Sequence, residues 1–135
     1  MTQALKLIFT AHIPIRWGDM DANKHVNNTE YFRYMEQARV EWIHSLGQRD
    51  SWGEGIQVAI VTASCTYLRQ MTYPGTVEVR MLAEPPGRSS VSTHYEIRLS
   101  GDTEPRATGS AKMVWVDSRR DKSTPLPDVV RQALL

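Results

Sequence analysis

The chain has 135 residues, which is enough for one domain with a hydrophobic core and too few for two ordinary domains. Its 41% hydrophobic and 23% charged residues are typical of a folded globular protein. Basic and acidic residues number 16 and 15, so the formal charge of +1 gives no reason to expect nucleic-acid binding. No apolar run approaches the ~20 residues of a membrane span, and the first ten residues lack a signal-peptide pattern, so we expect no membrane association.

The first part of the chain alternates as a strand, passes through a polar loop and then repeats at helical spacing. Residues 5–15 are predicted to form the strand, because apolar side chains occupy every second position. Residues 16–26 form the loop. A helix is predicted from Asn27 or Asn28, both good N-cap residues, to about Leu46, where a glycine follows. Its apolar stripe consists of Tyr31, Met35, Ala38, Trp42 and Leu46.

The rest of the chain is predicted to be mostly strand. After a polar loop over residues 48–55, four strands are separated by turns rich in proline and glycine. Short connections favour antiparallel neighbours, so the order strand, helix, four strands predicts an α+β domain with an antiparallel sheet around one long helix. A charged tail and a short helix over residues 129–135 are predicted to end the chain. The four strands cover residues 56–68, 76–81, 89–100 and 106–116.

Two local patterns add detail. Apolar residues outside the helical stripe, such as Phe32 and Val40, predict a helix that other structure wraps on most sides. The small residues Ala107, Gly109 and Ala111 in the last strand predict that something packs closely against it.

The only cysteine is Cys65, so no intrachain disulfide can form. It lies in an apolar run without a histidine nearby in sequence, and we expect a small buried strand residue rather than a nucleophile. A reducing cytoplasm fits this usage of cysteine.

The loop before the helix is the chemically richest segment of the chain. It carries Asp19, Asp21, Asn23 and His25 directly before the predicted helix N-terminus. Amides at a helix start point outward with partial positive charge and can polarise a carbonyl oxygen, while a nearby carboxylate can act as nucleophile or general base. From spacing alone, an aspartate here could equally cap the helix or form a turn. A metal is disfavoured, because no further cluster of ligands completes a shell.

The loop also carries a family resemblance. Asp19-Met20-Asp21 followed by His25-Val26-Asn27-Asn28 and an aromatic-rich helix resembles the 4-hydroxybenzoyl-CoA thioesterase-like branch of the hotdog-fold thioesterases. The spacing of Asp21, Asn23 and His25 is also similar to that of the plant acyl-ACP thioesterases. The match is strongest over residues 13–46.

The resemblance implies the fold and the activity. It implies one hotdog thioesterase domain over residues 1–135, with a sheet of about five antiparallel strands wrapped around a central helix. It implies an acyl-CoA thioesterase that needs no metal or redox cofactor, with the site between the subunits of a homodimer or homotetramer. The acyl group, the carrier (CoA or acyl carrier protein) and the number of subunits stay open.

The resemblance also assigns roles to residues. Asp21 matches the catalytic acid, as nucleophile or general base, and the Asn28 backbone amide matches the group that polarises the thioester carbonyl. Asn23 would orient the carboxylate or the thioester. His25 would move a proton, or would simply be a loop residue bonded to backbone. Asp19 is expected to have a structural role.

The remaining assignments concern the carrier and the acyl pocket. Arg88 and Ser89, after a Pro-Pro-Gly turn, resemble the segment that meets the CoA nucleotide, although an arginine exposed at a turn is the simpler alternative. The helix aromatics could line an acyl pocket, but a role in the core is favoured. The rival functions are hydrolysis of acyl-ACP, a non-catalytic module that binds acyl thioesters, and, more weakly, a hotdog dehydratase, whose arrangement of acid and histidine is not found here.

Overall fold

The structure is a computed structural model that describes residues 4–135, so three residues of the predicted 1–135 domain lie outside the described part. Within these described residues, six strands, two α-helices and two short 3-10 turns follow one another. The elements are β1 (Lys6–Pro14), a 3-10 turn (Trp17–Asp19), α1 (Asn28–Ser45), a second 3-10 turn (Arg49–Trp52), β2 (Ile56–Tyr67), β3 (Thr76–Ala83), β4 (Ser90–Leu99), β5 (Ala107–Asp117), β6 (Lys122–Ser123) and α2 (Asp128–Leu134).

The strands form a single antiparallel sheet in the order β1-β3-β4-β5-β2, with β6 paired to the end of β5. β3, β4 and β5 are neighbours in sequence and in the sheet, as short turns require. β2 and β3 are consecutive but not adjacent, because β2 pairs with β5 at the far edge of the sheet. Long helix α1 and the sheet give the α+β hotdog architecture, which confirms the predicted fold class.

The core lies between α1 and the inner face of the sheet. The predicted alternation is confirmed on β3 and β4, where every second side chain is buried. The predicted helical stripe is confirmed as well, since its first four residues are the ones that α1 buries, together with Tyr34. Close packing against the last strand is also confirmed, because the Met35 side chain lies directly against Gly109.

The prediction of a helix wrapped on most sides was wrong for the single chain. Phe32 is 37% exposed and Val40 is 55% exposed, so α1 is covered only on the side that faces the sheet. The outer side carries residues such as Glu36 and Gln37, which are exposed.

Two predicted polar segments contribute to the core instead. The loop after α1 contains a 3-10 turn whose Trp52 is 8% exposed and packs against Trp115 of β5, with ring centroids 5.9 Å apart. The predicted charged tail forms β6 and buries Leu126. Helix α2 then covers the core with Val130 and Leu134, as amphipathic spacing allows. In the part of the chain that the structure describes, no helix combines the length and apolarity required to span a bilayer.

Candidate active site

The polar loop before α1 is a tight turn held by several backbone hydrogen bonds. Met20 and Val26 pair as an isolated antiparallel bridge. Inside it, the Asp21 N–H donates to the His25 carbonyl at 3.0 Å, and the Lys24 N–H donates to the Asp21 carbonyl at 2.9 Å. The Val26 N–H donates to the carbonyl of Met71, which is buried, at 2.8 Å and ties the turn to the segment after β2. This backbone network fixes where the Asp21 side chain is presented.

Asp19 is a buried residue whose hydrogen bonds hold the loop in place. Its carboxylate is buried and accepts from the Arg16 N–H at 3.0 Å, from Arg16 Nε at 3.1 Å and from the Tyr34 hydroxyl at 2.9 Å. The Asn27 N–H donates to the Asp19 carbonyl at 2.9 Å. Burial, and then the hydrogen bond to Asp19, raise the pKa of Tyr34 well above its ordinary value, so this tyrosine remains a donor. The structural role expected for Asp19 agrees with this geometry.

The start of α1 lies beside the turn. Asn27 is the N-cap, and its Oδ1 accepts from the Thr29 N–H at 2.9 Å and from the Thr29 hydroxyl at 2.8 Å. Asn28 is the first helical residue, and its N–H has no acceptor among residues 4–135. An unpaired first-turn amide with the helix dipole behind it is a ready donor to an oxygen of a ligand.

The turn, the helix start and the end of β2 enclose a depression of about 260 Å³, called here the thioester depression. The Asp21 Oδ1 accepts from the Asn23 N–H at 2.9 Å, which shapes the turn. The Nδ1 of His25 is buried and has no hydrogen-bond partner within the described residues. The structure thus brings four predicted site residues together. The lining is Asp21, Asn23, His25, Val26, Asn28, Tyr31, Tyr67, Leu68, Arg69 and Gln70.

The residues that the end of β2 contributes to the depression, Tyr67 above all, were not predicted from the sequence. The Tyr67 hydroxyl donates to the Asn28 carbonyl at 2.9 Å, and its ring meets Tyr31 edge-on with centroids 4.9 Å apart. Burial raises the pKa of Tyr67, so the hydroxyl stays protonated and can donate. Arg106 secures the next residues by donating to the Gln70 carbonyl at 2.8 Å. These contacts join distant parts of the chain, and no local pattern indicated them.

Arg88 and Ser89 lie elsewhere in the single chain. The Ser89 carbonyl accepts from the Trp115 N–H of β5 at 2.8 Å, whereas Tyr67 pairs with Ala107 at the other end of the same strand. Eight residues at about 3.4 Å each separate the two levels by about 27 Å. One chain therefore does not bring these two residues to the thioester depression.

Neither metal binding nor a cysteine nucleophile is supported by the residues described at this site. Within residues 4–135 no three His, Cys, Asp or Glu side chains converge to hold a metal ion. Cys65 is half-buried on β2 and does not line the depression. Burial raises the pKa of its thiol, which lowers the fraction of reactive thiolate.

A carboxylate beside an open helix N-terminus is an arrangement that can act on a carbonyl group. The family comparison identifies the class of protein. The model of the Thioesterase-like superfamily matches residues 15–134, and the chain therefore belongs to that superfamily. The protein is a thioester hydrolase, which confirms the family expected from the loop.

Individual relatives agree with this membership. The chain is similar to an uncharacterized protein of Bacillus subtilis, with 29% identity over 129 residues, covering 94% of this chain and 85% of that protein. A solved structure of a proposed thioesterase from Pseudomonas aeruginosa is 40% identical with a TM-score of 0.89, covering 96% of this chain and 100% of that one. A DHNA-CoA thioesterase from Staphylococcus aureus is 24% identical with a TM-score of 0.77, covering 87% and 79%, and supports the fold alone.

Proposed function

We propose that the protein hydrolyses acyl-CoA thioesters at the thioester depression, with Asp21 and the Asn28 amide as its catalytic groups. The observation that carries the proposal is that the Asp21 side chain and the first residue of α1 line the same depression. We also propose that residues 1–135 act as one catalytic domain in a reducing cytoplasm, which a single unpaired cysteine fits.

The reaction requires addition to a carbonyl and loss of a thiolate. A water oxygen bonds to the thioester carbon while Asp21 accepts its proton, and the carbonyl oxygen becomes an oxyanion that the Asn28 N–H holds. The carbon–sulfur bond then breaks as the carbonyl re-forms. The products are the free acid and CoA, whose thiolate takes up a proton.

A nucleophilic variant of this step uses the same residues. Asp21 attacks the thioester carbon, CoA leaves as thiolate, and water hydrolyses the resulting anhydride. Single-turnover reaction in ¹⁸O-labelled water tests for the nucleophilic route. Label found in the Asp21 carboxylate shows that water attacked the Asp21 side of an anhydride, and therefore shows that route.

Asn23 and His25 support the reaction in different ways. The Asn23 N–H holds Oδ1 of Asp21, so this residue orients the carboxylate through its backbone. His25 lines the same depression as Asp21, and an imidazole N–H can donate a hydrogen bond to a departing thiolate. We propose that His25 assists departure of CoA rather than attack.

We propose that two chains pair through β2. β2 is an edge strand of 12 residues, with Ile60 40% exposed and Val61 54% exposed. A long, apolar, unpaired edge is a template for another strand, and an isologous pair satisfies both edges at once. Val61→Lys should dissociate the dimer in light scattering, while Leu7→Lys on the opposite edge should not. A monomeric wild type would contradict the pairing.

Such a dimer would also give Arg88 and Ser89 a place near the substrate. Antiparallel pairing of two β2 strands reverses one chain relative to the other. The end of the sheet that carries Arg88 and Ser89 in one chain then faces the end that carries Tyr67 in its partner. In the proposed dimer, these two residues would grip the phosphates of CoA bound mainly by the other chain.

The test of the proposed function is release of thiol from acyl-CoAs ranging from acetyl to palmitoyl and benzoyl types. The same acyl groups on acyl carrier protein form the second arm. Hydrolysis of the CoA series supports the proposal, and hydrolysis of the carrier-protein series alone would move the substrate to acyl-ACP. Failure on both arms would refute it.

A further inference from the structure

A second depression lies on the other side of Asp21. Its volume is about 530 Å³, and Asp21 is the residue that borders both it and the thioester depression. The second depression is lined by Trp17, Met20, Asp21, Ala22, Lys24, Thr72 and Tyr73.

Two aromatic side chains that line this second depression, Trp17 and Tyr73, are open to water. Trp17 is 74% exposed and Tyr73 is 44% exposed, whereas Trp42, Trp52 and Trp115 are each at most 8% exposed. An indole is among the costliest side chains to leave in water. The backbone that carries Trp17 is fixed, because its carbonyl accepts from the Met20 N–H at 3.2 Å. The indole is therefore held in an exposed position, where an apolar ligand can contact it.

The position beside Asp21 indicates which part of a thioester would reach the second depression. When the thioester carbon lies at Asp21 and Asn28, the acyl chain and the sulfur extend from that carbon in different directions. The thioester depression continues among hydrogen-bonding groups, namely His25, Arg69 and Gln70, which match the amides of a pantetheine arm. The second depression offers mainly apolar surface, to which Trp17 and Tyr73 contribute their rings.

We propose that the second depression is the acyl subsite, in which Trp17 and Tyr73 pack against an aliphatic acyl chain while the thioester is held at Asp21. This inference rests on the proposed function, because it places the reacting carbon at that site. Each methylene that leaves water should tighten binding about two- to fourfold, with the lower figure for a groove open on one side.

S-alkyl-CoA thioethers test the subsite without catalysis, because a thioether has no carbonyl to attack. Dissociation constants of S-ethyl-, S-butyl- and S-octyl-CoA are measured by calorimetry for the wild type, Trp17→Ala, Trp17→Phe and Leu7→Ala. Leu7 is a control with 44% exposure on β1, away from both depressions. We expect affinity to rise with chain length in the wild type and in Leu7→Ala. The rise should be nearly absent in Trp17→Ala, partly kept in Trp17→Phe, and S-ethyl-CoA should bind all variants about equally.

Fluorescence provides a second reading on the same samples. Because the other three tryptophans are buried, S-octyl-CoA should shift the wild-type emission to shorter wavelength, and this shift should vanish in Trp17→Ala. An equal chain-length dependence in Trp17→Ala and the wild type would overturn the inference, as would no dependence in the wild type. A change of oligomeric state in Trp17→Ala would also overturn it, because a second copy of the chain would then cover Trp17.

The outcomes separate the subsite from the proposed function. If the protein hydrolyses acyl-CoAs but the dependence of affinity on alkyl chain length is unchanged in Trp17→Ala, the subsite alone is refuted. If that dependence on chain length requires Trp17 but no thioester is hydrolysed, the proposed function is refuted and the alkyl-binding site is supported.

Discussion

Gly109 is the position where a single methyl group should disturb how α1 sits on the sheet. A Cβ built there would overlap the Met35 Sδ and would lie 2.9 Å from the Ser64 carbonyl oxygen. The Met35 side chain can rotate, but the Ser64 carbonyl belongs to the paired β2 and β5 ladder and cannot move freely. We therefore expect Gly109→Ala to destabilise the fold by about 1–3 kcal/mol, which is the usual cost of overpacking.

The size of the thermal shift follows from the chain length of 135 residues. At about 2.1 cal/mol/K per residue the unfolding entropy is about 0.28 kcal/mol/K, so each kcal/mol lowers Tm by about 3.5 °C. Gly109→Ala should thus lower Tm by about 4–11 °C in calorimetry and shift the urea midpoint with an unchanged m-value. Gly18→Ala is the matched control, because its Cβ would meet no heavy atom of the described residues within 4 Å.

A double-mutant cycle identifies the clash. Met35→Ala should itself cost roughly 2–5 kcal/mol by opening a cavity, and Gly109→Ala should be less damaging in that background because its methyl partly fills the space. Equal costs in both backgrounds, or a Gly109→Ala variant as stable as Gly18→Ala, would refute the packing of Met35 on Gly109.

Three further changes probe the frame around the site. Asn27→Ala removes the helix N-cap and should cost about 1 kcal/mol in urea unfolding, since two donors lose their acceptor. Tyr67→Phe should cost roughly 0.5–1.5 kcal/mol and lower kcat more than it changes KM, because the lost bond holds the residue whose amide would face the oxyanion. The hydrogen bond from Arg106 holds the pKa of Asp102 below its ordinary 3.8, so Arg106→Gln should raise that pKa in a carboxyl NMR titration. Because this folded-state pKa is depressed, the pair stabilises the fold above the unfolded-state pKa and loses its effect as pH falls through the folded-state pKa.

Each of these expectations can fail in a recognisable way. An Asn27→Ala variant as stable as the wild type would show that another group caps α1. Unchanged kcat in Tyr67→Phe, with the fold intact, would remove Tyr67 from the positioning of Asn28. An Asp102 carboxyl that titrates identically in Arg106→Gln would mean that the bond at 2.7 Å does not persist in solution.

Local patterns predicted the elements that bury one face. Every second residue of β3 and β4 and the stripe from Tyr31 to Trp42 are buried because strand and helix periods each define a face, and these faces are apolar. The loop residues Asp21 and Asn28 could also be placed together, since a turn of seven residues and a helix start leave them little freedom.

The missed features depend on pairing between distant segments. Trp52 looked like part of a polar loop, yet it packs on Trp115, 63 positions later in the chain. Tyr67 became part of the thioester depression only through the pairing of β2 with β5, which places its end beside α1. The exposure of Val40 was not predicted, because an apolar residue outside the helical stripe does not show whether another element covers that side of the helix.

The most direct test of the central claim compares Asp21→Asn with Asp50→Asn in steady-state hydrolysis of the best acyl-CoA substrate. Asp50 is an exposed aspartate in the 3-10 turn after α1, so its variant makes the same chemical change away from the site. If Asp21 is the nucleophile or general base, Asp21→Asn should lower kcat by about 10²–10⁴-fold with unchanged circular dichroism, and Asp50→Asn should match the wild type. Full activity in a folded Asp21→Asn protein would show that the chemistry takes place with a different residue or at a different site.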